Sequence, residues 1–217
     1  MDGKAIIFDF DGVLVDSEAH WPGINVRIMA EILPSRPWTS HDDRRIVGHN
    51  LESVHGLLTS EYGLPLDLPA YRDVVWKHAG LIYDSLALPM PGVVRFIERA
   101  RALGIPMGVA SSNERSRIDV AVKRLGLEPY FRVVFGIDDV GGKGKPDPAV
   151  YLAAAEALGT NPADCVAIED SPSGIAAAKA AGMFCVALVS HHNSTHDVSA
   201  ADMRTGGFDE LTGSLLA

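Results

Sequence analysis

A short apolar run near the start of the chain ends in two aspartates. The run from Ala5 to Phe8 predicts a short buried strand. Asp9 and Asp11 follow one residue apart, and Gly12 then lets the backbone turn sharply. Buried carboxylates need a group that offsets their charge, and a divalent cation bound through oxygen is the simplest one. The stretch therefore predicts a site where one aspartate attacks a substrate and both help to hold Mg²⁺; the alternative is an exposed Asp-Gly turn.

The ten residues from Asp9 to Glu18, DFDGVLVDSE, resemble the first motif of the haloacid dehalogenase (HAD) superfamily. More narrowly, they are similar to the sugar-phosphatase and β-phosphoglucomutase-like branch of that superfamily. The resemblance implies a Rossmann-like core, a divalent metal and chemistry on a phosphate group, and the rest of the chain tests it.

Charge and composition exclude several classes of protein. The 217 residues carry a formal net charge of -9, so the basic footprint that non-specific nucleic-acid binding needs is missing. No apolar run approaches membrane-spanning length, and the first residues lack a signal-peptide pattern. Cys165 and Cys185 lie inside apolar runs, which indicates buried thiols in a reducing compartment. We expect a cytoplasmic protein without nucleic-acid or membrane partners, as a monomer or weak homodimer, whose partner is a small phosphorylated metabolite.

The pattern of apolar residues divides the chain into two domains. Residues 18–86 show helical spacing and no strand signal, which predicts an inserted all-helical cap domain. After Pro89–Gly92, strands and helices alternate to near the end of the chain. Such alternation predicts a parallel sheet with helices on both faces. The predicted fold is α/β, with a Rossmann-like core domain formed by residues 1–17 and 87–217.

Polar groups follow the predicted strands at the ends where such sheets bind ligands. Besides Asp9 and Asp11, these groups are Ser111, Ser112 and Asn113 after the second strand, Glu169 and Asp170 after the fourth, and Lys145 in the loop before the helix that leads to the fourth. They match the four HAD motifs in order. The Lys145-Pro146 pair fits the third motif, whereas Lys143 is followed by glycine.

The chemistry of these groups suits phosphoryl transfer. As the nucleophile, Asp9 forms an aspartyl-phosphate, and Asp11 is the general acid and base. Lys145 neutralises charge on Asp9 and on phosphate, and Ser111, with the loop that contains Ser112 and Asn113, binds the phosphate. The resemblance implies that Mg²⁺ is held by the Asp9 side chain, the Asp11 carbonyl, Asp170 and, directly or through water, Glu169. Other interpretations stay open: Glu169 and Asp170 as a helix N-cap pair, Ser111 as a helix cap, and Lys145 as a solvated lysine.

Three further groups of polar residues have weaker patterns. Gly48-His49-Asn50 interrupts the helical region, so His49 and Asn50 are candidate substrate contacts on a cap loop, or a simple helix break. The charged run Asp42–Arg45 predicts a solvated helix face. His191, His192 and His196 predict a solvated loop, because too few partners accompany them for a zinc site.

The favoured function is a Mg²⁺-dependent phosphatase acting on a small phosphomonoester, such as a sugar phosphate. The alternative is a β-phosphoglucomutase-like phosphomutase. The resemblance places a lysine before the cap-loop glycine and an arginine after it in the mutase, and here Val47 and Leu51 occupy those positions. Asp11 disfavours a metal-free dehalogenase and a phosphonatase. A regulatory module without catalysis should show a broken motif, and every expected group is present.

Overall fold

The computed structural model describes residues 4–46, 51–191 and 193–216, which fall into two compact units. The first unit comprises the described residues up to Glu18 and from Ala87 onwards, and the second comprises those from Ala19 to Leu86. No described helix is long and apolar enough to cross a membrane. His49 and Asn50 lie outside the described residues.

The first unit alternates strands and helices. Its strands are β1 (Ala5–Phe8), β2 (Met107–Ala110), β3 (Val133–Phe135), β4 (Cys165–Glu169), β5 (Phe184–Leu188) and β6 (Met203–Thr205). The four helices α1 (Trp21–Ile32), α2 (Ser40–Ile46), α3 (Leu51–Tyr62) and α4 (Leu68–Leu81) form the second unit. The chain then returns to the first unit, whose helices are α5 (Val93–Ala102), α6 (Arg115–Arg124), α7 (Ala149–Leu158), α8 (Pro172–Ala180) and α9 (Phe208–Leu215).

All six strands form one parallel sheet in the order β3-β2-β1-β4-β5-β6. From the central β1, the chain builds outward through β2 and β3 on one side and through β4, β5 and β6 on the other. The point where the strand order reverses therefore lies beside β1, and ligands of such sheets bind there, outside the carboxyl ends of the strands. The predicted α/β fold with a parallel sheet is confirmed.

Helices cover both faces of the sheet. The side chains of β1 point alternately to the two faces, so both faces carry apolar side chains that the helices bury. On one face, the Phe8 ring packs against Phe96 of α5 at 6.0 Å and Phe208 of α9 at 6.4 Å between ring centroids. On the other face, Ile7 belongs to an apolar cluster with residues of α7 and α8. All four residues of β1 are buried, so the aspartates that follow emerge directly from the core.

Two expectations from the sequence differ from the structure. Strand β6 was not predicted, because its three residues, Met-Arg-Thr, carry no apolar run. The charged run in α2 is a solvated face only in part: Arg44 is exposed, but Asp42 is only 3% exposed. Its carboxylate accepts hydrogen bonds from Thr39 Oγ1 at 2.7 Å and from Arg36 Nη2 at 2.9 Å. Asp43 accepts one from Trp38 Nε1 at 2.7 Å, so both acids fix α2 to its own unit.

Candidate active site

Asp9 continues the course of β1 by one residue. Its backbone N–H donates to the Ile168 carbonyl of β4 at 2.9 Å, and its side chain is buried, with the residue 7% exposed. Two residues later, Asp11 is partly exposed. Gly12 follows with φ +74°, and a Cβ there would lie 2.3 Å from Asp170 Oδ2. Only glycine allows this turn, which lays the backbone after β1 against the Asp170 carboxylate.

Lys145 reaches the same place from the loop that precedes α7. Its Nζ lies 2.6 Å from Asp9 Oδ1 and 2.5 Å from Glu169 Oε1, and its side chain is 4% exposed. The interpretation of Lys145 as a solvated lysine is therefore wrong. A buried ammonium bridging two buried carboxylates forms charge-assisted hydrogen bonds with both of them.

Glu169 is the last residue of β4 and is fully buried. Its Oε1 also accepts a hydrogen bond from the Tyr151 hydroxyl at 2.7 Å. Its Oε2 accepts hydrogen bonds from Asp170 N at 3.1 Å and from Ser171 Oγ at 3.2 Å. The N-cap of α8 is Ser171, whose Oγ accepts from Gly174 N, so Glu169 and Asp170 are not the cap.

Asp170 is fixed through its backbone carbonyl. The carbonyl oxygen accepts hydrogen bonds from Asn193 Nδ2 at 2.9 Å and from His196 Nδ1 at 3.2 Å. Asn193 is 3% exposed, and its Nδ2 also donates to the Leu188 carbonyl at 2.8 Å, so its amide joins the ends of β4 and β5. His196 thus contacts the site instead of lying in a solvated loop. His191 is exposed, and His192 lies outside the described residues.

The Ser111 loop lies at the end of β2. Ser111 is 1% exposed, and its Oγ accepts a hydrogen bond from the N–H of Asn113 at 3.0 Å. The N-cap of α6 is Glu114, not Ser111. Asn113 donates from Nδ2 to Asp11 Oδ2 at 3.3 Å, which orients the Asp11 carboxylate. Ser112 is exposed.

Burial dominates the electrostatics of the site. It raises the pKa of Asp9 to about 7, with Glu169 adding to the rise and Lys145 opposing it. Burial also raises the pKa of Asp170 to about 9, with further contributions from Asp9 and Glu169. For Lys145, burial alone would lower the pKa, but Asp9 and Glu169 outweigh it and raise the pKa above its usual value. The site therefore strongly favours a positive charge at Lys145 and disfavours a full negative charge on Asp9 and Asp170 together.

The donor set fits a divalent cation. The carboxylates of Asp9, Glu169 and Asp170 have oxygens within 4.8 Å of one another. When all three are ionised, Lys145 offsets one of their negative charges, which leaves two for a cation of charge two. Carboxylate oxygens are ligands that Mg²⁺ prefers. The structure thus brings Asp9, Lys145, Glu169 and Asp170 together around a place where a metal ion can bind.

A parallel α/β sheet with a buried cluster of acids and a lysine at its switch point defines an α/β domain whose site could hold a metal ion. The sequence pattern of one family, described as haloacid dehalogenase-like hydrolase, matches residues 4–182. The chain belongs to the haloacid dehalogenase-like hydrolase family. The predicted family and the prediction of a hydrolase are confirmed.

Named relatives and a solved structure are similar over most of the chain. A phosphorylated carbohydrates phosphatase of Thermotoga maritima is 33% identical over 181 residues, 83% of this chain and 82% of that protein. A β-phosphoglucomutase of Bacillus subtilis is 31% identical over 192 residues, 85% of this chain and 83% of that protein. The crystal structure of a HAD family hydrolase from Deinococcus radiodurans, with bound phosphate and sodium, has a TM-score of 0.77 and 28% identity, covering 98% of this chain and 94% of that one.

One relative is much longer. A bifunctional riboflavin kinase/FMN phosphatase of Arabidopsis thaliana is 30% identical over 202 residues, which are 92% of this chain and 52% of that protein. The chain therefore spans about half of that relative's length. Relatives named as phosphatases support the prediction that the enzyme acts on phosphoric monoesters.

Proposed function

We propose that this chain is a Mg²⁺-dependent phosphatase that hydrolyses a small phosphomonoester, such as a sugar phosphate, through an aspartyl-phosphate. The observation that carries the proposal is the buried contact of 2.6 Å between Lys145 Nζ and Asp9 Oδ1. Asp9 emerges from the central strand at the switch point of the sheet, where a ligand has access. A carboxylate placed there, with a fixed cation beside it, suits attack on an anionic phosphate.

Two displacements at phosphorus complete the reaction. In the first, an Asp9 carboxylate oxygen forms a bond to phosphorus, the phosphorus–oxygen bond of the ester breaks, and Asp11 gives its proton to the leaving alcohol. In the second, Asp11 takes a proton from water, the water oxygen attacks phosphorus, and Asp9 is released with inorganic phosphate. The Asn113 amide holds Asp11 for both proton transfers, because it donates to Asp11 Oδ2.

Lys145 and the Ser111 loop serve the phosphate group. Charge on the equatorial oxygens of the transferring phosphoryl group is stabilised by a fixed cation, which Lys145 supplies. Ser111 and Ser112 are proposed to donate hydrogen bonds to these oxygens. Asp9 and Asp170 would hold Mg²⁺ with their carboxylates, together with the Asp11 carbonyl implied by the family resemblance. When bound, the ion offsets the negative charge shared by carboxylates and phosphate.

The substrate class rests on the relatives and on the second unit. One relative of similar length is named for phosphorylated carbohydrates as its substrates. We propose that the helical unit, from Ala19 to Leu86, is the cap domain of the family and discriminates between esters. His49 and Asn50 remain candidate substrate contacts on this unit.

Phosphate release tests the proposal. The protein is assayed with Mg²⁺ or EDTA on phosphorylated sugars, polyols, glycolate, FMN and nucleotides. β-Glucose-1-phosphate with a trace of the bisphosphate is followed in parallel for isomerisation, since a β-phosphoglucomutase is among the relatives. We expect Mg²⁺-dependent release of phosphate from one or a few sugar phosphates. Isomerisation without net release would identify a phosphomutase instead, and phosphate release that is unchanged by chelation would contradict the metal requirement.

A further inference from the structure

The carboxylate of Glu169 is surrounded by donors from its own chain. Oε1 accepts from Lys145 Nζ at 2.5 Å and from the Tyr151 hydroxyl at 2.7 Å. Oε2 accepts from Asp170 N at 3.1 Å, from Ser171 Oγ at 3.2 Å and from Ser171 N at 3.4 Å. A carboxylate has about four lone-pair positions, two on each oxygen. These donors occupy all of them, so no lone pair is left for a metal ion.

The surroundings also fix where this carboxylate lies. A Cβ at Gly174 would be 1.9 Å from Glu169 Oε1, so the first turn of α8 closes against it with only a glycine between them. Tyr151 is fully buried on α7, and its ring centroid lies 5.0 Å from Lys145 Nζ. The tyrosine therefore holds Glu169 with its hydroxyl and faces the ammonium with its ring. Glu169 cannot turn towards a metal ion without losing these contacts.

We propose that Glu169 is a positioning residue for Lys145 rather than a metal ligand, and that the Tyr151 hydroxyl holds Glu169 in that role. The inference rests on the proposed function, in which Lys145 stabilises charge on phosphate. It divides the charges of the site into two groups. The negative charge of Glu169 balances the positive charge of Lys145, and the negative charges of Asp9 and Asp170 balance the divalent cation.

The Tyr151 hydroxyl determines how the Lys145 ammonium is shared between Glu169 and Asp9. With the hydroxyl present, Oε1 of Glu169 divides its lone pairs between Tyr151 and Lys145, and Nζ lies within 2.6 Å of Asp9 as well. Without the hydroxyl, Lys145 is the one partner of Oε1 that remains among the hydrogen bonds of the described residues. The ammonium is then drawn towards Glu169 and away from Asp9 and the phosphate that Asp9 attacks.

The primary test is Tyr151→Phe, which removes one oxygen atom and keeps the ring. Its matched control is Tyr130→Phe: the Tyr130 ring also lies near a cation, 5.2 Å from Arg101 Cζ, and its hydroxyl also contacts a carboxylate, Glu98 Oε1 at 3.5 Å, but outside the site. For Tyr151→Phe we expect kcat to fall about tenfold while KM changes less than about twofold, as for loss of a partner behind a site residue. Tyr130→Phe should match the wild type in both constants.

Binding of Mg²⁺ alone to the phosphate-free protein, measured by titration calorimetry, separates positioning from metal ligation without using activity. Tyr151→Phe should bind Mg²⁺ with a Kd within about threefold of the wild type. Glu169→Gln, which removes a negative charge but no ligand, should weaken binding clearly less than Asp170→Asn, which removes both and should weaken it by more than about tenfold. Weakening by Glu169→Gln as large as that by Asp170→Asn would overturn the inference. A wild-type kcat in Tyr151→Phe would overturn the role of the hydroxyl.

Failure of the proposed function gives a different result from failure of this inference. A wild-type protein that binds Mg²⁺ but releases no phosphate from any ester contradicts the function, whereas the comparison of Kd values still decides whether Glu169 is a metal ligand. Glu169→Gln removes charge beside a buried lysine and can destabilise the fold, so Tyr151→Phe, the milder change, decides the kinetic question.

Discussion

Asp11 is the residue whose two proposed roles can be separated in one experiment. The proposed mechanism uses it first as an acid, towards the leaving alcohol, and then as a base, towards water. An aryl leaving group such as p-nitrophenolate needs no proton, so only the second role remains necessary with that ester. The hydrogen bond from Asn113 Nδ2 to Asp11 Oδ2 holds the carboxylate in the place from which both transfers occur.

With p-nitrophenyl phosphate, the Asp11→Asn variant should release one equivalent of nitrophenol rapidly and then turn over slowly. With a sugar phosphate, the same variant should lose about 10²- to 10⁴-fold in kcat, the usual contribution of general acid–base catalysis. Stopped-flow absorbance at millisecond resolution measures the burst. Asp9→Asn is the comparison, since a variant without the nucleophile should show no burst. A burst of equal size in Asp9→Asn would contradict the assignment of the nucleophile.

Residues that directly follow strands, or that fall in a motif of the family, could be predicted from the sequence, whereas residues that act from inside helices or from other loops could not. Asp9 and Asp170 stand out because carboxylates at the ends of buried strands need a group that offsets their charge. Lys145 lies in a loop and stands out through the Lys145-Pro146 pair of the third motif. Tyr151 does not stand out in the sequence, because a tyrosine in the apolar helix α7 is explained equally well as a residue of the core. Asn193 and His196 lie in a polar loop, where only the folded chain shows that they contact the Asp170 carbonyl.

At the scale of elements, α2 shows how specific side-chain contacts override a pattern of charges. Its run of charges indicates solvent, yet Asp42 is buried, with Arg36 and Thr39 before the helix and Tyr62 at the end of α3. The hydrogen bond from Thr39, opposed by burial and reinforced by Arg36, holds the pKa of Asp42 well below its usual range. Thr39 and Arg36 are close in sequence and Tyr62 lies 20 residues away, and the spacing of charged residues indicates none of these contacts.

This arrangement predicts a sensitivity to acid that Asp42→Asn should reduce. Because the pKa of Asp42 is lower in the folded than in the unfolded chain, its contribution to stability is present above about pH 4, the pKa of an unfolded aspartate, and is lost as the pH falls below it. Near neutral pH, Asp42→Asn should lower the free energy of unfolding by about 1–3 kcal/mol. The difference from the wild type should narrow from pH 6 to pH 3 in urea denaturation.

Asp73→Asn, a change at an exposed aspartate of α4, is the control and should leave stability unchanged at both pH values. If the difference in free energy of unfolding between wild type and Asp42→Asn stayed constant or widened in acid, this would contradict the proposed role of Asp42.

At the scale of the molecule, the strand order places the ends of β1 and β4 side by side, so their carboxylates meet. The alternation of strands and helices was sufficient to predict a parallel sheet with helices on both faces, but not its strand order. It was not sufficient to predict the sixth strand, because β6 pairs only with β5 at the edge and needs no apolar run. Burying like-charged carboxylates at the centre of the molecule lowers its stability, and a bound metal ion should reduce this loss.

Mg²⁺ should therefore stabilise the whole protein. A ligand that binds only the folded chain adds about 2.7 kcal/mol at a concentration of one hundred times its Kd. Thermal unfolding with MgCl₂, against NaCl of equal ionic strength, should show a clear rise in Tm for the wild type. Asp170→Asn should lose most of that rise. An equal rise with NaCl, or an undiminished rise in Asp170→Asn, would show that the effect does not come from this site.

The most direct test of the account is to trap phosphate on Asp9. Borohydride reduces an acyl phosphate to the alcohol as phosphate leaves, which converts a phosphorylated aspartate into homoserine. The Asp11→Asn variant, in which the intermediate should accumulate, is mixed with Mg²⁺ and p-nitrophenyl phosphate, quenched, reduced and mapped by peptide mass spectrometry. We predict homoserine at position 9, dependent on substrate. An unmodified Asp9 in a sample that has released its equivalent of nitrophenol, or homoserine at another aspartate, would contradict the account.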